Sequence, residues 1–237
     1  MSLTATSIFD PVLCEILYNW YCPKGGTVFD PFAGGSVRGV VAEMLGRQYI
    51  GIDLSERQVD ANQINADALG VCPVWYCDDS RNADQYITDG TADLVFTCPP
   101  YHNLEKYSDH PLDLSNMNYD DFSKAYNEII DIACRKLKEN RFAVFVVGDV
   151  RDTKGAYRDF LGLTKSAFFR NGLCLYNEGI LLNQYGTAPM RAGQCFTNKR
   201  KTAKVHQNVF VFYKGNPKNI EKIDVKGIEK ADLSKYL

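Results

Sequence analysis

The first turn that could do chemistry joins a short apolar segment, residues 27–29, to a helical pattern. Its residues are Asp30, Pro31, Phe32, Ala33, Gly34, Gly35 and Ser36. The two glycines would let the backbone approach a bound molecule closely. Asp53 ends the next apolar segment, about 20 residues further on, where a carboxylate can accept hydrogen bonds from both hydroxyls of a ribose. The spacing predicts a site for a nucleoside-bearing cofactor.

The glycine turn has a second interpretation, because many α/β proteins need glycine at this point for packing alone. The turn is not the G-x-G-x-x-G of dinucleotide sites, and no G-x-x-x-x-G-K-[ST] segment is present. Asp78 and Asp79 follow a third apolar segment. They add acidic groups to the same predicted sheet edge, and the alternative for Asp79 is a helix N-cap.

The second turn is Cys98-Pro99-Pro100-Tyr101, directly after the apolar segment 92–97. Two prolines fix the backbone and remove two N–H donors, so that carbonyl groups face outward without competing donors. A rigid carbonyl beside an aromatic ring can hold a planar amine, which donates hydrogen bonds while its ring stacks. The alternative is a turn that only ends a strand.

Strand and helix patterns alternate along the chain that must position these turns. Helical spacing predicts helices over residues 11–21, 37–45, 55–69, 119–137 and 161–171. Apolar runs predict strands over 27–29, 48–54, 74–77, 92–97, 142–147, 174–182 and 209–213, with a surface loop over 102–118. The alternation indicates an α/β fold, with a parallel sheet covered by helices on both faces. Ligands bind such sheets at the carboxyl ends of the strands.

Composition sets the class of protein. The chain has 237 residues, 45% of them hydrophobic, and a net charge of -2, which predicts one globular domain. No apolar run reaches the ~18 residues of a membrane span, and the N-terminus does not resemble a signal peptide, so we expect a cytoplasmic protein.

The eight cysteines form no C-x-x-C pair. We expect no metal site and no disulfides, with most thiols buried.

The segments 28–36, 50–54, Asp79 and Thr97–Tyr101 together resemble the S-adenosylmethionine-dependent DNA amino-methyltransferases, which methylate adenine N6 or cytosine N4. The resemblance extends to residues 9–11, 142–150 and 206–212. It implies a class I, Rossmann-like methyltransferase fold, whose mostly parallel sheet contains an antiparallel late strand. The single domain would cover residues 1–215, followed by a polar C-terminal tail, 216–237.

The resemblance also implies roles for individual residues. The cofactor, S-adenosylmethionine, would contact Phe9, Pro11, Asp30, Pro31, Phe32, Ala33, Gly34, Gly35, Ser36, Asp53, Leu54 and Asp79. The catalytic residues would be Cys98, Pro99, Pro100 and Tyr101. Two departures stand out: the second glycine is shifted by one position from the family's F-x-G-x-G loop, and Cys98 stands where the family has Asp, Asn or Ser. The T-x-P-P-Y context resembles the T-S-P-P-Y of cytosine-N4 enzymes.

A basic segment of the late chain predicts contact with nucleic acid. No Asp or Glu occurs between residues 183 and 213. The cations Arg191, Lys199, Arg200, Lys201 and Lys204 fall within the small recognition insert that we place at about 183–204. A solvated loop is the alternative. Elsewhere, His102 and His110 could line a target pocket, Arg38 could touch the cofactor or lie on a helix surface, and His206 would position the last strand.

The leading hypothesis is a DNA methyltransferase, with DNA as partner and a role in restriction-modification. The alternatives are methylation of RNA or of a protein glutamine, and a catalytically impaired relative that binds nucleic acid. The insert is small, so we expect a short recognition sequence or help from a specificity partner. The choice between monomer and homodimer, and that between adenine and cytosine, stay open.

Overall fold

The computed structural model describes residues 9–102, 107–108, 110–182 and 188–220, without the side chains of Ala188 and Arg191. Seven strands form one sheet in the order β3-β2-β1-β4-β5-β7-β6. The strands are β1 Thr27–Asp30, β2 Gln48–Asp53, β3 Val74–Cys77, β4 Ala92–Thr97, β5 Leu137–Val147, β6 Leu173–Leu182 and β7 His206–Lys214. The helices are α1 Pro11–Tyr21, α2 Val37–Met44, α3 Glu56–Leu69, α4 Tyr119–Lys136, α5 Phe160–Arg170 and α6 Ala188–Lys199.

Strand pairing confirms a mostly parallel sheet with an antiparallel late strand. The pairs β1–β2, β2–β3, β1–β4 and β4–β5 are parallel. Strand β7 is antiparallel to both β5 and β6. The carboxyl ends of β1 to β5 therefore meet at one sheet edge, where the two turns of interest begin.

Helices cover both faces of the sheet, as expected, because alternate strand residues point to opposite sides. Phe29 and Val95 pack with α4 and α5 in one apolar core. Val28 and Leu94, their neighbours in sequence, pack with α1, α2 and α3 in the other. The central strands read as continuous apolar runs because both of their faces are buried.

Helix ends follow local signals in the sequence. The Asp10 carboxylate accepts a hydrogen bond from the Val12 N–H at 2.8 Å, and Pro11 occupies the first turn of α1. The Ser55 hydroxyl caps α3, which ends at Gly70 in the left-handed conformation. These signals explain why the bounds of the early helices match the predicted ones closely.

Several boundaries differ from the prediction. Strand β5 starts at Leu137 rather than at residue 142. The polar run 138–141 has no apolar pattern, so the sequence did not predict the first half of this strand. Residues 102–118 include a 3-10 helix, Leu114–Asn116. The predicted insert contains α6, and residues 183–187 lie outside the described chain. In the C-terminal tail, Pro217–Asn219 forms a 3-10 turn, and residues 221–237 lie outside the described chain.

All eight cysteines are free thiols, but the expectation that most are buried is wrong. Only Cys14, Cys22 and Cys134 are buried, and Cys72, Cys77 and Cys195 are exposed. Within the described ranges, no cluster of three or more His, Cys, Asp or Glu side chains could hold a metal ion. None of the helices described combines the length and apolar composition that crossing a bilayer requires.

Gly51 allows β2 to pack under the glycine turn. A Cβ at this position would lie 2.7 Å from a Tyr49 ring carbon and 2.9 Å from the Ala33 Cβ. Gly51→Ala should therefore lower the free energy of unfolding by about 1–3 kcal/mol in urea titrations. In the control Gly179→Ala, the added Cβ meets its first neighbour at 3.6 Å, so stability should change by less than about 1 kcal/mol. Equal losses in the two variants would contradict this packing.

Candidate active site

A cavity of about 260 Å³ opens at the carboxyl ends of the parallel strands. It brings together residues that follow four different strands. The lining includes Gly34 and Gly35 after β1, Asp53 and Leu54 at β2, Asp78, Asp79 and Ser80 after β3, and Cys98 and Pro100 after β4. The glycine turn and the double-proline turn thus share one cavity, with Pro31 and Phe32 also in its wall.

Asp53 is held at the end of β2 by two backbone donors. Its Oδ2 accepts from the Gly34 N–H at 2.8 Å, and its Oδ1 accepts from the Ser55 N–H at 2.9 Å. Burial raises the pKa of Asp53, although both hydrogen bonds act in the opposite direction. A carboxylate has about four acceptor positions, so each oxygen keeps capacity for a hydroxyl donor from a ligand.

The two glycines of the turn meet different requirements. Gly34 has φ +52°, a conformation that glycine adopts without a Cβ clash. The Gly34 carbonyl accepts from Asn62 Nδ2 at 2.7 Å, which fixes the turn to α3. A Cβ at Gly35 would meet no atom within 4 Å. Packing therefore does not require glycine at 35, and its open side leaves room for a ligand in the cavity.

A buried ion pair lies behind the glycine turn. The Asp30 carboxylate is fully buried and accepts from Arg38 Nε at 2.6 Å, from the Tyr49 hydroxyl at 2.8 Å and from the Thr97 hydroxyl at 2.5 Å. Arg38 also donates to the carbonyls of Phe32 and Ala33, at 2.7 and 2.8 Å. Burial alone would lower the pKa of Arg38, but the charge of Asp30 raises it.

This geometry corrects the expectation for Arg38. The side chain is 4% exposed, so it neither lies on a helix surface nor reaches the cavity. Asp30 likewise positions the turn from behind and does not line the cavity. Phe9 packs against the same guanidinium, 4.8 Å from its ring centroid. Pro11 is exposed at the start of α1, and Ser36, at the start of α2, bonds to Asn65.

The double-proline turn presents Cys98 and Pro100 to the cavity, whereas Pro99 and Tyr101 are not part of its described lining. The Tyr101 hydroxyl donates to the Val146 carbonyl at 3.4 Å and lies 3.5 Å from the Cys98 sulfur. Burial raises the pKa of Tyr101, so the phenol stays neutral. Tyr101 here supports the turn by packing against β5, where the sequence predicted an open aromatic surface.

Asp79 fulfils both of its predicted interpretations. It caps the 3-10 helix Ser80–Gln85 by accepting from the Arg81 N–H at 2.9 Å, and it also lines the cavity. The Arg81 guanidinium pairs with it at 2.6 Å. Hydrogen bonds from Tyr86 and Asn82 lower the pKa of Asp78 against the opposing effect of burial. Ser80 ties this helix to the glycine turn by donating to the Pro31 carbonyl.

The opposite wall consists of residues that the sequence analysis missed. Tyr107, Ser108, Leu112, Asp113 and Leu114 all line the cavity. Asp113 accepts from the hydroxyls of Ser108 and Ser115, each at 2.7 Å. The Asp-x-Ser pattern at 113–115 is a recognisable turn signal, but nothing in the sequence places it opposite the glycine turn.

Neither loop histidine lines the cavity. His102 is buried against the rings of Tyr119 and Phe122, and its Nε2 lies 3.0 Å from the Met117 carbonyl oxygen. His110 is exposed, and its Nδ1 accepts from the Leu112 N–H. Their contribution to a target pocket stays a prediction, with ordinary loop residues as the alternative. His206 pairs with Leu182 at the start of β7, which agrees with a positioning role.

The predicted basic segment is partly described. Lys199 ends α6, and Lys199 and Arg200 are exposed. Lys201 and Lys204 are partly buried against the chain that follows β5. The side chain of Arg191 lies outside the described part of the structure.

Comparison with known proteins agrees with this geometry. A family model described as DNA methylase matches residues 12–64, which contain the glycine turn and Asp53. The orphan methyltransferase M.BamHII of Bacillus amyloliquefaciens is 26% identical over 138 residues, which are 56% of this chain. The chain spans 43% of that relative's length. The family-model match supports a relationship to DNA methylases, and the second match supports a relationship to methyltransferases.

Solved structures match most of the chain. The YcgJ protein from Bacillus subtilis aligns with a TM-score of 0.60 at 13% identity, covering 87% of this chain and all of that one (100%). A protein described as a putative rRNA-methylase from Clostridium thermocellum aligns with a TM-score of 0.55 at 14% identity. The alignment covers 88% of this chain and 100% of that one. Magnesium protoporphyrin IX methyltransferase from Synechocystis, with bound SAM, aligns with a TM-score of 0.51 at 11% identity. The alignment covers 86% of this chain and 79% of that one.

These structures and the strand order identify the fold as that of the class I S-adenosylmethionine-dependent methyltransferases. Two of these neighbours are named for different substrates, rRNA and magnesium protoporphyrin IX. The fold therefore does not decide the methyl acceptor of this chain.

The Asp30–Arg38 pair should be indispensable for the glycine turn. Arg38→Met leaves a carboxylate buried without its cation, and should lower the free energy of unfolding by about 3–5 kcal/mol. Arg170→Met provides the control, because Arg170 pairs with Asp131 at 2.7 Å but is 50% exposed. That variant should lose no more than about 1 kcal/mol. Urea titrations measure the free energy of unfolding of both variants. Similar decreases in the two would show that the buried ion pair is no more important for stability than the exposed one.

Proposed function

We propose that this chain is a DNA methyltransferase that transfers a methyl group from S-adenosylmethionine to the exocyclic amine of adenine (N6) or cytosine (N4). One observation carries the proposal: Gly34, Gly35 and Asp53 line the same cavity as Cys98 and Pro100. A donor held by the first group would lie beside an acceptor held by the second. The family-model match to DNA methylases supports DNA as the acceptor, and the curated relative supports methyl transfer.

The residues of the cavity fit the cofactor. Asp53 keeps acceptor capacity for two ribose hydroxyls, and the open side of Gly35 permits close approach of the ligand. Leu54 adds an apolar surface, and Asp79 an acceptor at the next strand end. When bound, S-adenosylmethionine supplies an electrophilic methyl group on a sulfonium. The carboxylates of the cavity also favour a cationic ligand electrostatically.

The double-proline turn would hold the acceptor amine. The lone pair of an exocyclic base amine is delocalised into the ring, which makes the nitrogen a poor nucleophile. Hydrogen bonds from its two N–H groups to the Pro99 carbonyl and the Cys98 sulfur would draw the nitrogen toward a tetrahedral geometry and direct its lone pair at the donor. Cys98 lines the cavity, whereas the Pro99 contact rests on the resemblance alone. No general base is required, because the methylated ammonium loses its proton readily. Positioning therefore carries most of the rate enhancement.

A base inside a duplex cannot reach this turn, so the base must leave the stack at a cost of a few kcal/mol. Tyr101 is packed against Phe160 at a centroid distance of 6.1 Å and bonded to β5. It would stack on the extruded base only after a side-chain rearrangement. In the packed position its contribution is to keep the Cys98-Pro99-Pro100 backbone against β5.

Methyl transfer tests the function directly. The protein is incubated with labelled S-adenosylmethionine and mixed-sequence DNA, and the modified nucleoside is identified by mass spectrometry. We expect N6-methyladenine or N4-methylcytosine. Label in RNA or in a protein glutamine, with none in DNA, would overturn the assignment of the acceptor.

Cys98 variants test the double-proline turn within the same assay. A hydroxyl is a better acceptor than a thiol, so Cys98→Ser should transfer methyl at least as fast as the wild type. Cys98→Val has similar volume without an acceptor and should be about 10-fold slower, as expected for losing about 1.4 kcal/mol of transition-state stabilisation. Equal rates for Ser and Val would show that this side chain does not contact the amine.

The carboxylate of Asp53 should make cofactor affinity depend on pH. Its raised pKa means that protonation begins at higher pH than for an ordinary Asp. Affinity, measured by calorimetry, should fall as the pH decreases through that pKa, because the protonated acid is a weaker acceptor. Asp53→Asn should bind about 10- to 100-fold more weakly than the wild type at neutral pH, without this pH dependence.

Asp60→Asn is the control for charge, because Asp60 is exposed on the neighbouring helix α3. It should keep both the wild-type affinity and its dependence on pH. Unchanged affinity in Asp53→Asn would show that this carboxylate does not bind the cofactor.

A further inference from the structure

A short hairpin leaves the sheet directly after β5. Its two arms pair through an antiparallel bridge between Arg151 and Tyr157. The Arg158 N–H donates to the Val150 carbonyl at 2.9 Å, and the Asp152 N–H donates to the Ala156 carbonyl at 2.8 Å. We call residues 150–158 the β5–α5 hairpin.

The elements on both sides of this hairpin, β5 and α5, contact Tyr101, the residue that closes the double-proline turn. Before the hairpin, the Val146 carbonyl accepts from the Tyr101 hydroxyl at 3.4 Å. After it, the Phe160 ring meets the Tyr101 ring edge-on at 6.1 Å. The hairpin therefore rises from the same sheet edge as the proposed target site and next to it.

Cations from two segments converge on the hairpin. The Arg151 guanidinium lies 3.8 Å from the Tyr157 ring centroid, and Lys204 Nζ lies 5.9 Å from it. Lys201 Nζ approaches so closely that a Cβ on Gly155 would lie 2.3 Å from it. Lys154, at the tip, is exposed. The sequence had indicated only Lys201 and Lys204, because the stretch 149–159 contains as many acids as bases.

The carboxylates within and beside the hairpin accept hydrogen bonds from backbone N–H groups. Asp149 accepts from the Phe160 N–H at 3.1 Å, Asp152 from the Ala156 N–H at 2.9 Å, and Asp159 from the Gly162 N–H at 3.0 Å. In the described part of the chain, no ion pair joins a carboxylate to a cation of the hairpin or of residues 199–204. Residues 149–159 contain three acids and three bases, so Lys201 and Lys204 give this surface a net positive charge.

Arg158 adds a fixed cation at the base of the hairpin. Its guanidinium lies 4.2 Å from the Tyr119 ring centroid, and its buried Nε has no hydrogen-bond partner among the described residues. The Tyr119 hydroxyl donates to the Arg158 carbonyl at 3.2 Å, which fixes the backbone here. Cations held in place by aromatic rings and backbone lose little side-chain freedom on binding an anion.

We propose that the β5–α5 hairpin, together with Lys201 and Lys204, binds the sugar-phosphate backbone of duplex DNA beside the base to be methylated. The inference rests on the proposed function and adds a surface to it. Clustered Lys and Arg side chains are the usual partners of phosphates. The Tyr157 ring, 44% exposed between these cations, packs against the sugar or an adjacent base.

The salt dependence of DNA affinity tests this surface. Fluorescence anisotropy measures binding of a labelled mixed-sequence duplex between 50 and 200 mM salt. Lys154→Gln should reduce the slope of log K against log salt by about 0.9, the value for one lost phosphate contact. Lys24→Gln is the matched control, because Lys24 is an exposed turn lysine before a positive-φ glycine, as Lys154 is, but precedes β1 at the opposite sheet edge. It should keep the wild-type slope.

A second variant tests the aromatic ring. Tyr157→Ala should weaken binding about fivefold or more at fixed salt while leaving the slope unchanged, since no charge is removed. Thermal melting and S-adenosylmethionine affinity of both hairpin variants should match those of the wild type. Those two measurements separate a loss of DNA contact from a loss of the fold or of the donor site.

Three outcomes are distinguishable. A smaller slope of log K against log salt in Lys154→Gln, with the wild-type slope in Lys24→Gln, supports the hairpin as a DNA-binding surface. If the wild type binds duplex DNA and methylates it, and the two lysine variants share its slope, the hairpin is excluded and the proposed function stands. If the wild type binds S-adenosylmethionine but shows no salt-dependent binding to duplex DNA, both DNA as the methyl acceptor and the hairpin as a DNA-binding surface are excluded.

Discussion

The site depends on a buried carboxylate. Asp30 ends β1 and accepts hydrogen bonds from Arg38 of α2, Tyr49 of β2 and Thr97 of β4. A charge in this apolar environment is tolerated only while its partners stay in place. Because those partners come from three elements, the same interactions that compensate the charge also fix α2, β2 and β4 relative to the end of β1. Arg38 also positions the glycine turn, because it donates hydrogen bonds to the carbonyls of Phe32 and Ala33.

Strand order explains why the cavity forms at this point. The chain proceeds from β1 to β2 and β3 on one side, and then returns to place β4 on the other side of β1. The connections after β1 and β4 therefore diverge, and leave a crevice between them at the carboxyl edge. Gly35 and Cys98 lie on its two sides. Thr97, the last residue of β4, bonds to Asp30, so the buried network also sets the separation of the two turns.

Charge is distributed unevenly around this crevice, although the whole chain has a net charge of only -2. The cavity contains the carboxylates of Asp53, Asp78, Asp79 and Asp113. The neighbouring hairpin and the segment that follows α6 present lysines and arginines. The separation suits the two proposed ligands, because a sulfonium is a cation and a nucleic acid is a polyanion. Phosphates would be attracted to the rim and repelled from the donor site.

The sequence by itself determined the alternation of strands and helices, the two turns and the carboxylate of Asp53. These features depend on local signals: apolar periodicity, glycine, paired prolines and caps such as Asp10 and Ser55. The early helices were therefore predicted closely, while β5 was shortened because its polar first half has no apolar pattern.

Tertiary structure alone decided which side chains meet. Arg38 is buried beside Asp30, Tyr101 packs on β5, and Asp113 lines the same cavity as the glycine turn. Acids and bases balance over residues 149–159 in the sequence, and only folding brings Lys201 and Lys204 against them. Such contacts join residues far apart in the chain, and their energies depend on burial and on partners that no local pattern specifies.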